Sequence, residues 1–448
     1  MKVHYIKTEK EYDIAFFPET KRFFRVNEKA QRIINDLLAK EDIKIIANRE
    51  EVSVECIEEY AKKIEECTTR IKNKSNEQSN SNKLKRLVIH LANGCNLRCE
   101  YCYANGGTYH SDASMITHET IDRIFDIFYG SFDSIETIQL FGGEPLLNMD
   151  AVEYICEKVE NICIDREKKT QIGIVTNGTL IDERFAELVQ RYHILVTISY
   201  DGDIKVNDKL RKDVHGNGMS NLILKNAKML KEKTGQPNTI EATYTQYHYN
   251  NGISLIDIIK HIYSELGTIG IHCVPAGGNE DAEFILKEYE PFIKGIDDVF
   301  EANKLEPYKN YSFSFAQRIM AGLAIKKSVG DNLCDAGDGT ISVAVDGSIY
   351  PCFMLTDIDE YRLGNVFDDN PLKSKRIVDI LEELKQVNRK NSKDCENCFA
   401  INLCTGCLGL NLLNTGSIGM VDGKFCDMYR KLIEHLLIKL SEKNNSLK

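Results

Sequence analysis

Two short runs of aromatic and branched aliphatic residues, Tyr12–Phe17 and Arg22–Val26, flank a polar Pro18-Glu19-Thr20-Lys21 tetrapeptide near the start of the chain. Runs of this kind around a turn signal predict a pair of strands. Asn27 then occupies an N-cap position before Ile33, Ile34, Leu37 and Leu38, which share one helical face, and a second helical pattern runs from Ser53 to Thr68. Residues 1–70 are therefore expected to form a small winged-helix-like α+β domain. Residues 71–84, rich in Asn, Ser and Lys, lack an apolar stripe and are expected to be a polar linker.

From residue 86 the rhythm changes. Apolar runs at Leu87–Leu91, Thr137–Phe141, Gly173–Thr176, Leu195–Ser199, Thr239–Thr243 and Ile269–Val274 alternate with helical patterns such as Ala151–Asn161, Glu183–Arg191, Leu222–Lys231 and Ser254–Ser264. Six β-then-α units predict an α/β fold whose parallel sheet is joined by right-handed crossovers. Six are too few for a closed eight-fold barrel, so residues 85–310 are expected to form a partial (β/α)6 TIM-like barrel. In such folds chemistry gathers at the carboxyl ends of the strands. After a helical segment near Phe315–Lys327 the periodicity fades. Residues 334–426 hold seven cysteines and little regular pattern before an amphipathic helix at Met428–Leu440. Residues 311–448 are thus expected to be an irregular, Cys-rich, cluster-binding domain held by metal rather than by a large apolar core.

Composition narrows the function. The net charge of −11 works against a nucleic-acid partner, because phosphate backbones require clustered Lys and Arg. No apolar run is long enough to span a membrane, and Met1-Lys2-Val3-His4-Tyr5-Ile6-Lys7 lacks a signal-peptide core, so a cytoplasmic location is expected. Fifteen cysteines in a reducing compartment point to metal ligation rather than disulfides.

Asn93-Gly94-Cys95-Asn96-Leu97-Arg98-Cys99-Glu100-Tyr101-Cys102 places three thiols just after the first barrel strand. Three ligands on a four-iron cubane leave one iron open to a substrate or cofactor. A three-cysteine zinc site completed by a distant His is the competing reading. This CxxxCxxC loop resembles that of the radical S-adenosylmethionine (SAM) superfamily, and further segments resemble that family's motifs in order. Gly142-Gly143-Glu144-Pro145 is similar to the GGE motif that receives the cofactor's amino group. Thr176-Asn177-Gly178 and Ser199-Tyr200-Asp201-Gly202 resemble segments that contact its ribose and carboxylate. Arg211 matches a position that reaches the carboxylate, and Tyr101 the aromatic that packs near the adenine. The resemblance implies that Cys95, Cys99 and Cys102 hold a [4Fe–4S] cluster that splits SAM into methionine and a 5′-deoxyadenosyl radical.

Cys334, Cys352, Cys395, Cys398, Cys404, Cys407 and Cys426 resemble the seven-cysteine SPASM extension, which binds two auxiliary clusters. The family usually places three residues before the fourth clustered cysteine; here only Thr405-Gly406 precede Cys407. Carried over by position, Cys395, Cys398, Cys404 and Cys426 would ligate one cluster fully, while Cys334, Cys352 and Cys407 would supply three ligands to the other. Relatives with an eighth cysteine place it before the first of the seven. Ile325–Leu333 contains none, leaving an iron for a substrate thiolate or a non-cysteine ligand such as Asp331. A zinc ribbon is the alternative.

The N-terminal 70 residues resemble a PqqD-type recognition domain, which binds a leader peptide as an added strand. Together these resemblances imply a maturase for a ribosomally made precursor peptide, supplied with electrons by a flavodoxin or ferredoxin and using SAM and three [4Fe–4S] clusters. Formylglycine-forming relatives carry an Asp directly after the cysteine of the Gly-x4-Cys segment; here Phe353 follows Cys352 and cannot take a proton. With the missing eighth cysteine, this favours thioether formation, with carbon–carbon cross-linking as runner-up, formylglycine formation as a further alternative and a zinc-stabilised peptide adaptor as the non-enzymatic one.

Overall fold

The computed structural model describes residues 3–69, 82–109, 111–167, 169–267, 270–307, 309–325 and 330–443. Strands β1 (His4–Ile6), β2 (Asp13–Phe17) and β3 (Arg22–Val26) form an antiparallel three-stranded sheet. Asn27 caps the following helix, Glu28–Leu38, by accepting from Ala30 N at 2.8 Å. The helix Val54–Thr68 begins at its own cap, Ser53. Between them lies Ile43–Arg49, too short for its apolar spacing to stand out. Of the linker segment 71–84, residues 71–81 lie outside the described residues, and β4 begins at Lys83.

The main sheet is built from β4 (Lys83–Asn93), β5 (Ser114–Met115), β6 (Ser134–Gly142), β7 (Gln171–Thr176), β8 (Leu195–Ser199), β9 (Thr239–Tyr244) and β10 (Gly270–Pro275). Strands β4, β6, β7, β8, β9 and β10 are parallel neighbours in chain order, while β5 adds a short antiparallel pairing to β4. This is the partial barrel that six β-then-α units require. Its outward side chains, among them Leu87, Ile138, Ile174, Ile198 and Ile240, meet Phe128, Val152, Phe185 and Ile258 of the surrounding helices in one buried core. Each fully buried side chain of this size contributes about 1.5–3 kcal/mol.

The Cys-rich region is more regular than its sequence suggests. Strand β11 (Thr340–Val343) pairs in parallel with β4, and β12 (Ser348–Tyr350) and β13 (Gly364–Asn365) continue the same sheet. Helices Lys375–Gln386 and Leu408–Thr415 precede the final helix, Gly423–Lys443. The N-terminal sheet rests on this region. Lys21 Nζ donates to Gly322 O at 2.9 Å and Ile325 O at 2.8 Å, Asn402 Nδ2 donates to Pro18 O at 2.9 Å, and His4 stacks on Phe399 with ring centroids 3.8 Å apart. Among the described residues, no helix is long and apolar enough to cross a membrane.

Candidate active site at the barrel mouth

Strand β4 delivers the Cys95–Cys102 loop to the carboxyl edge of the sheet, where parallel α/β folds collect their chemistry. Backbone bonds pin the loop on both sides. Arg98 N donates to Lys212 O at 2.7 Å and Glu100 N to Leu210 O at 3.0 Å, while Glu144 N donates to Gly94 O at 2.9 Å. The glycines of Gly142-Gly143-Glu144 are needed for this packing. A Cβ on Gly143 would lie 2.2 Å from Gly94 O and 2.7 Å from Gly107 Cα. Gly142 has φ +131°, and its Cβ would meet Ala92 O at 2.6 Å. Gly143→Ala should therefore displace the cysteine loop, and iron analysis of anaerobically purified protein should show about four irons lost from about twelve.

The three thiols are neighbours. Cys99 lies within electrostatic reach of both Cys95 and Cys102. Cys95 Sγ accepts from Leu97 N at 3.4 Å and from Asn177 Nδ2 at 3.6 Å. Burial pushes the Cys95 thiol up to about 12 and the Cys99 thiol to about 11. Iron must therefore displace protons as it binds. Among the described residues no three His, Cys, Asp or Glu side chains close on a single ion. One zinc ion draws its four ligands tightly together, whereas a cubane holds its thiolates apart on different irons. Three half-buried thiols, with Cys99 beside both of the others and polar donors aimed at the Cys95 sulfur, fit the cluster.

The neighbouring strand ends form the frame of the mouth. Glu144 is fully buried. Its carboxylate accepts from Thr176 Oγ1 at 2.7 Å, Asn177 N at 2.7 Å and Leu146 N at 3.0 Å, and burial raises it to about 7. Expected to receive an amino group, Glu144 here ties the end of β6 to the end of β7. Asn177 in turn donates to Asn96 Oδ1 at 2.8 Å and accepts from Thr179 N at 2.9 Å, bracing the residue next to Cys95.

Arg211 has a comparable internal role. Its Nε and Nη2 donate to the two Asp201 oxygens at 3.0 and 3.1 Å, and the pair is 7% and 0% exposed. The fork expected to face a cofactor carboxylate is paired here with a protein carboxylate, since an unpaired charge at this depth would be costly. Tyr101 joins them, donating to Asp201 Oδ2 at 2.5 Å with its ring 5.4 Å from the guanidinium. Thr243 N adds a bond to Asp201 Oδ1 at 2.9 Å. Ser199 ends β8 opposite Glu241 of β9. Glu241 is a half-buried carboxylate, raised by desolvation, that was not singled out from sequence because it sits alone in an ordinary strand.

The later cysteines fall into two groups of neighbours. Cys404 feels Cys395, Cys398 and Cys426, while Cys352 feels Cys334 and Cys407. Burial pushes Cys404 and Cys352 each to about 12. A cavity of about 60 Å³ is lined by Cys395, Cys398, Cys404 and Cys426, together with Cys407. Cys407 Sγ also caps its helix by accepting from Leu410 N at 3.4 Å. Arg389, 5% exposed, clamps the two groups together by donating to Gly330 O at 2.7 Å, Leu333 O at 3.3 Å and Cys404 O at 2.9 Å. No motif marks it in the sequence. Asp331 is paired with Lys390 at 2.6 Å, with both side chains more than half exposed, so its carboxylate is directed to solvent and away from the thiols.

The sequence pattern of the radical SAM superfamily matches residues 89–262. The chain carries a radical SAM domain. The iron–sulfur cluster-binding SPASM pattern matches residues 334–399. The chain is similar to the radical SAM cyclopropyl synthase TigE of Paramaledivibacter caminithermalis, with 26% identity over 83% of this chain and 78% of that protein. It is also similar to the cysteine-type anaerobic sulfatase-maturating enzyme of Clostridium perfringens, with 22% identity over 82% of this chain and 99% of the relative. Among solved structures, anSMEcpe with bound AdoMet superposes with a TM-score of 0.67, at 19% identity over 80% of this chain and 98% of that one. Streptococcus suis SuiB bound to precursor peptide SuiA gives 0.56, at 18% identity over 94% and 98%. A radical SAM domain joined to a SPASM domain implies SAM and multiple [4Fe–4S] clusters as cofactors. Cys95, Cys99 and Cys102 would hold the cluster, which together with SAM would supply a carbon-centred radical. The protein's own residues fix the loop and hold the strand ends together.

Proposed function

We propose that this radical SAM enzyme modifies a ribosomally made precursor peptide, joining a cysteine sulfur to a substrate carbon. The observation that carries the reading is the grouping of Cys334, Cys352 and Cys407 as three thiols with no fourth cysteine before them, together with Asp331 turned to Lys390. A cluster held by three thiolates leaves one iron for a substrate thiolate, which orients the sulfur toward the radical made at the barrel mouth. The similarity to SuiB bound to a precursor peptide supports a peptide as the class of substrate. In this reading Cys395, Cys398, Cys404 and Cys426 hold the other auxiliary cluster, and a flavodoxin or ferredoxin supplies the reducing electron. Residues 1–70 act as the PqqD-like recognition domain, taking the leader on a free edge of the β1–β3 sheet.

A second reading is carbon–carbon bond formation, favoured by similarity over most of the chain to a protein named a cyclopropyl synthase. One reaction separates the two. The reduced, SAM-loaded enzyme is incubated anaerobically with a precursor peptide encoded beside its gene, and the product is alkylated and analysed by mass spectrometry. Thioether formation requires loss of two hydrogens with a cysteine closed to alkylation. Loss of two hydrogens with every thiol still alkylated establishes carbon–carbon coupling.

A further inference from the structure

Strand β4 shifts register against β6 between His90 and Ala92, a bulge that changes the facing of the residues beyond it. His90 and Asn93 both meet the segment that follows Cys352. His90 Nε2 lies 3.4 Å from Thr356 Oγ1, and Asn93 Nδ2 donates to Asp357 Oδ2 at 3.4 Å. His90 is 0% and Asn93 3% exposed, yet His90 Nδ1 and Asn93 Oδ1 have no hydrogen-bond partner. Buried polar atoms are nearly always satisfied, so two orphans three residues apart mark a place where a further group belongs.

Asp357 stands at that place. Its backbone is left-handed, with φ 60°, a conformation that aspartate and asparagine adopt more readily than most residues. The carboxylate is half-buried, receives a second bond from the Ser111 side chain, and is held above the ordinary carboxylate range by burial. Asn93 precedes the Cys95–Cys102 loop and Ser111 follows it, while Asp357 itself follows Cys352. The carboxylate therefore sits where the radical-generating loop meets the chain of the three-thiol group. Phe353, next to Cys352, packs its ring on Phe141 with centroids 4.9 Å apart and offers no acceptor.

We infer that Asp357 accepts the proton that a peptide heteroatom must lose during the modification. The inference rests on the peptide-modifying reading above. Joining a heteroatom to carbon removes two hydrogens from the peptide. The carbon gives up a hydrogen atom to the SAM-derived radical, which becomes 5′-deoxyadenosine. The heteroatom–hydrogen bond breaks first, its proton passing to the Asp357 carboxylate as the heteroatom takes the open auxiliary iron, and the new bond to carbon forms afterwards. The remaining electron passes to an oxidised auxiliary iron–sulfur cluster. Asp357 later returns its proton to water.

The test uses Asp357→Asn in the full-length holoenzyme, since asparagine tolerates the left-handed backbone. Before reduction, iron content and affinity for the fluorescently labelled precursor peptide encoded beside the gene are measured. After reduction, 5′-deoxyadenosine and cross-linked product are quantified together. The expected result is wild-type iron, peptide affinity and 5′-deoxyadenosine, with cross-linked product reduced at least about 100-fold. Product within about threefold of wild type overturns the inference, because a catalytic base contributes far more than that. Loss of iron or of peptide affinity also overturns it, by making Asp357 a structural residue. Failure of the wild-type enzyme to alter the peptide rejects the peptide-modifying reading and not the place of Asp357.

Discussion

Replacing Cys95 with alanine abolishes SAM cleavage and removes one cluster while leaving the others in place. The loop supplies only three thiols, so the loss of any one leaves two ligands for four irons. Iron in the anaerobically purified variant should fall from about twelve to about eight atoms per chain. The 5′-deoxyadenosine rate should fall at least about a million-fold, to background, since the radical has no alternative source in the protein. Cys95 has a further effect through its neighbours. Asn177 aims its amide at the Cys95 sulfur and also holds Asn96, so the cluster and the end of β7 support one another. Iron, sulfide and 5′-deoxyadenosine measured on one preparation check the prediction. A variant retaining all its iron, or cleaving SAM at the wild-type rate, would show that Cys95 is no ligand.

The second large effect is on stability. Asp201→Ala leaves Arg211 buried without its hydrogen-bonded carboxylate and strands the Tyr101 hydroxyl and Thr243 N–H that Asp201 now receives. Breaking a buried pair from one side costs about 3–5 kcal/mol, much of it the desolvation of the orphaned guanidinium. The double variant Asp201→Leu/Arg211→Met should recover most of this loss, because it removes both charges. Urea unfolding of the metal-free proteins, followed by circular dichroism, gives the comparison. Equal destabilisation by the single and double changes would mean that packing, not charge, dominates at this site. Because Arg211 also faces Cys99, the single variant should lose iron from the first cluster as well.

The barrel was legible because its strands are dense in branched residues and end in turn-forming glycine, asparagine and aspartate. Leu195–Ser199 is a strand over the same residues in sequence and structure, a branched run that ends shortly before the turn-forming Asp201-Gly202. The Cys95 loop was legible from spacing alone. What stayed hidden depended on distant partners. Asp201 and Arg211 each suggested a cofactor contact, but only tertiary structure reveals that they neutralise one another. Arg389 carries no local signal, since its partners are carbonyls up to fifty-nine residues away. Strand β11 is four residues long in a stretch crowded with glycine and aspartate, too brief for a period to register. Asp357 was concealed differently. It lies five positions beyond Cys352, and only the β4 bulge and the fold of that segment bring it against Asn93.

Strand β11 bears on how such proteins diversify. It hydrogen-bonds to the same strand, β4, that presents the Cys95 loop. The two ends of the catalytic half and the Cys-rich half are thus woven into one sheet, not tethered by a hinge. The separation between the Cys95 loop and the strand that leads to Cys352 is consequently tied to backbone register. A chimera that exchanged the C-terminal half between relatives would have to preserve this register as well as the cysteines. Otherwise β4 would be left with a bare edge, the kind of surface that templates aggregation. Inheritance of the two halves as a unit is the outcome this architecture favours, with variation confined to the loops that meet the substrate.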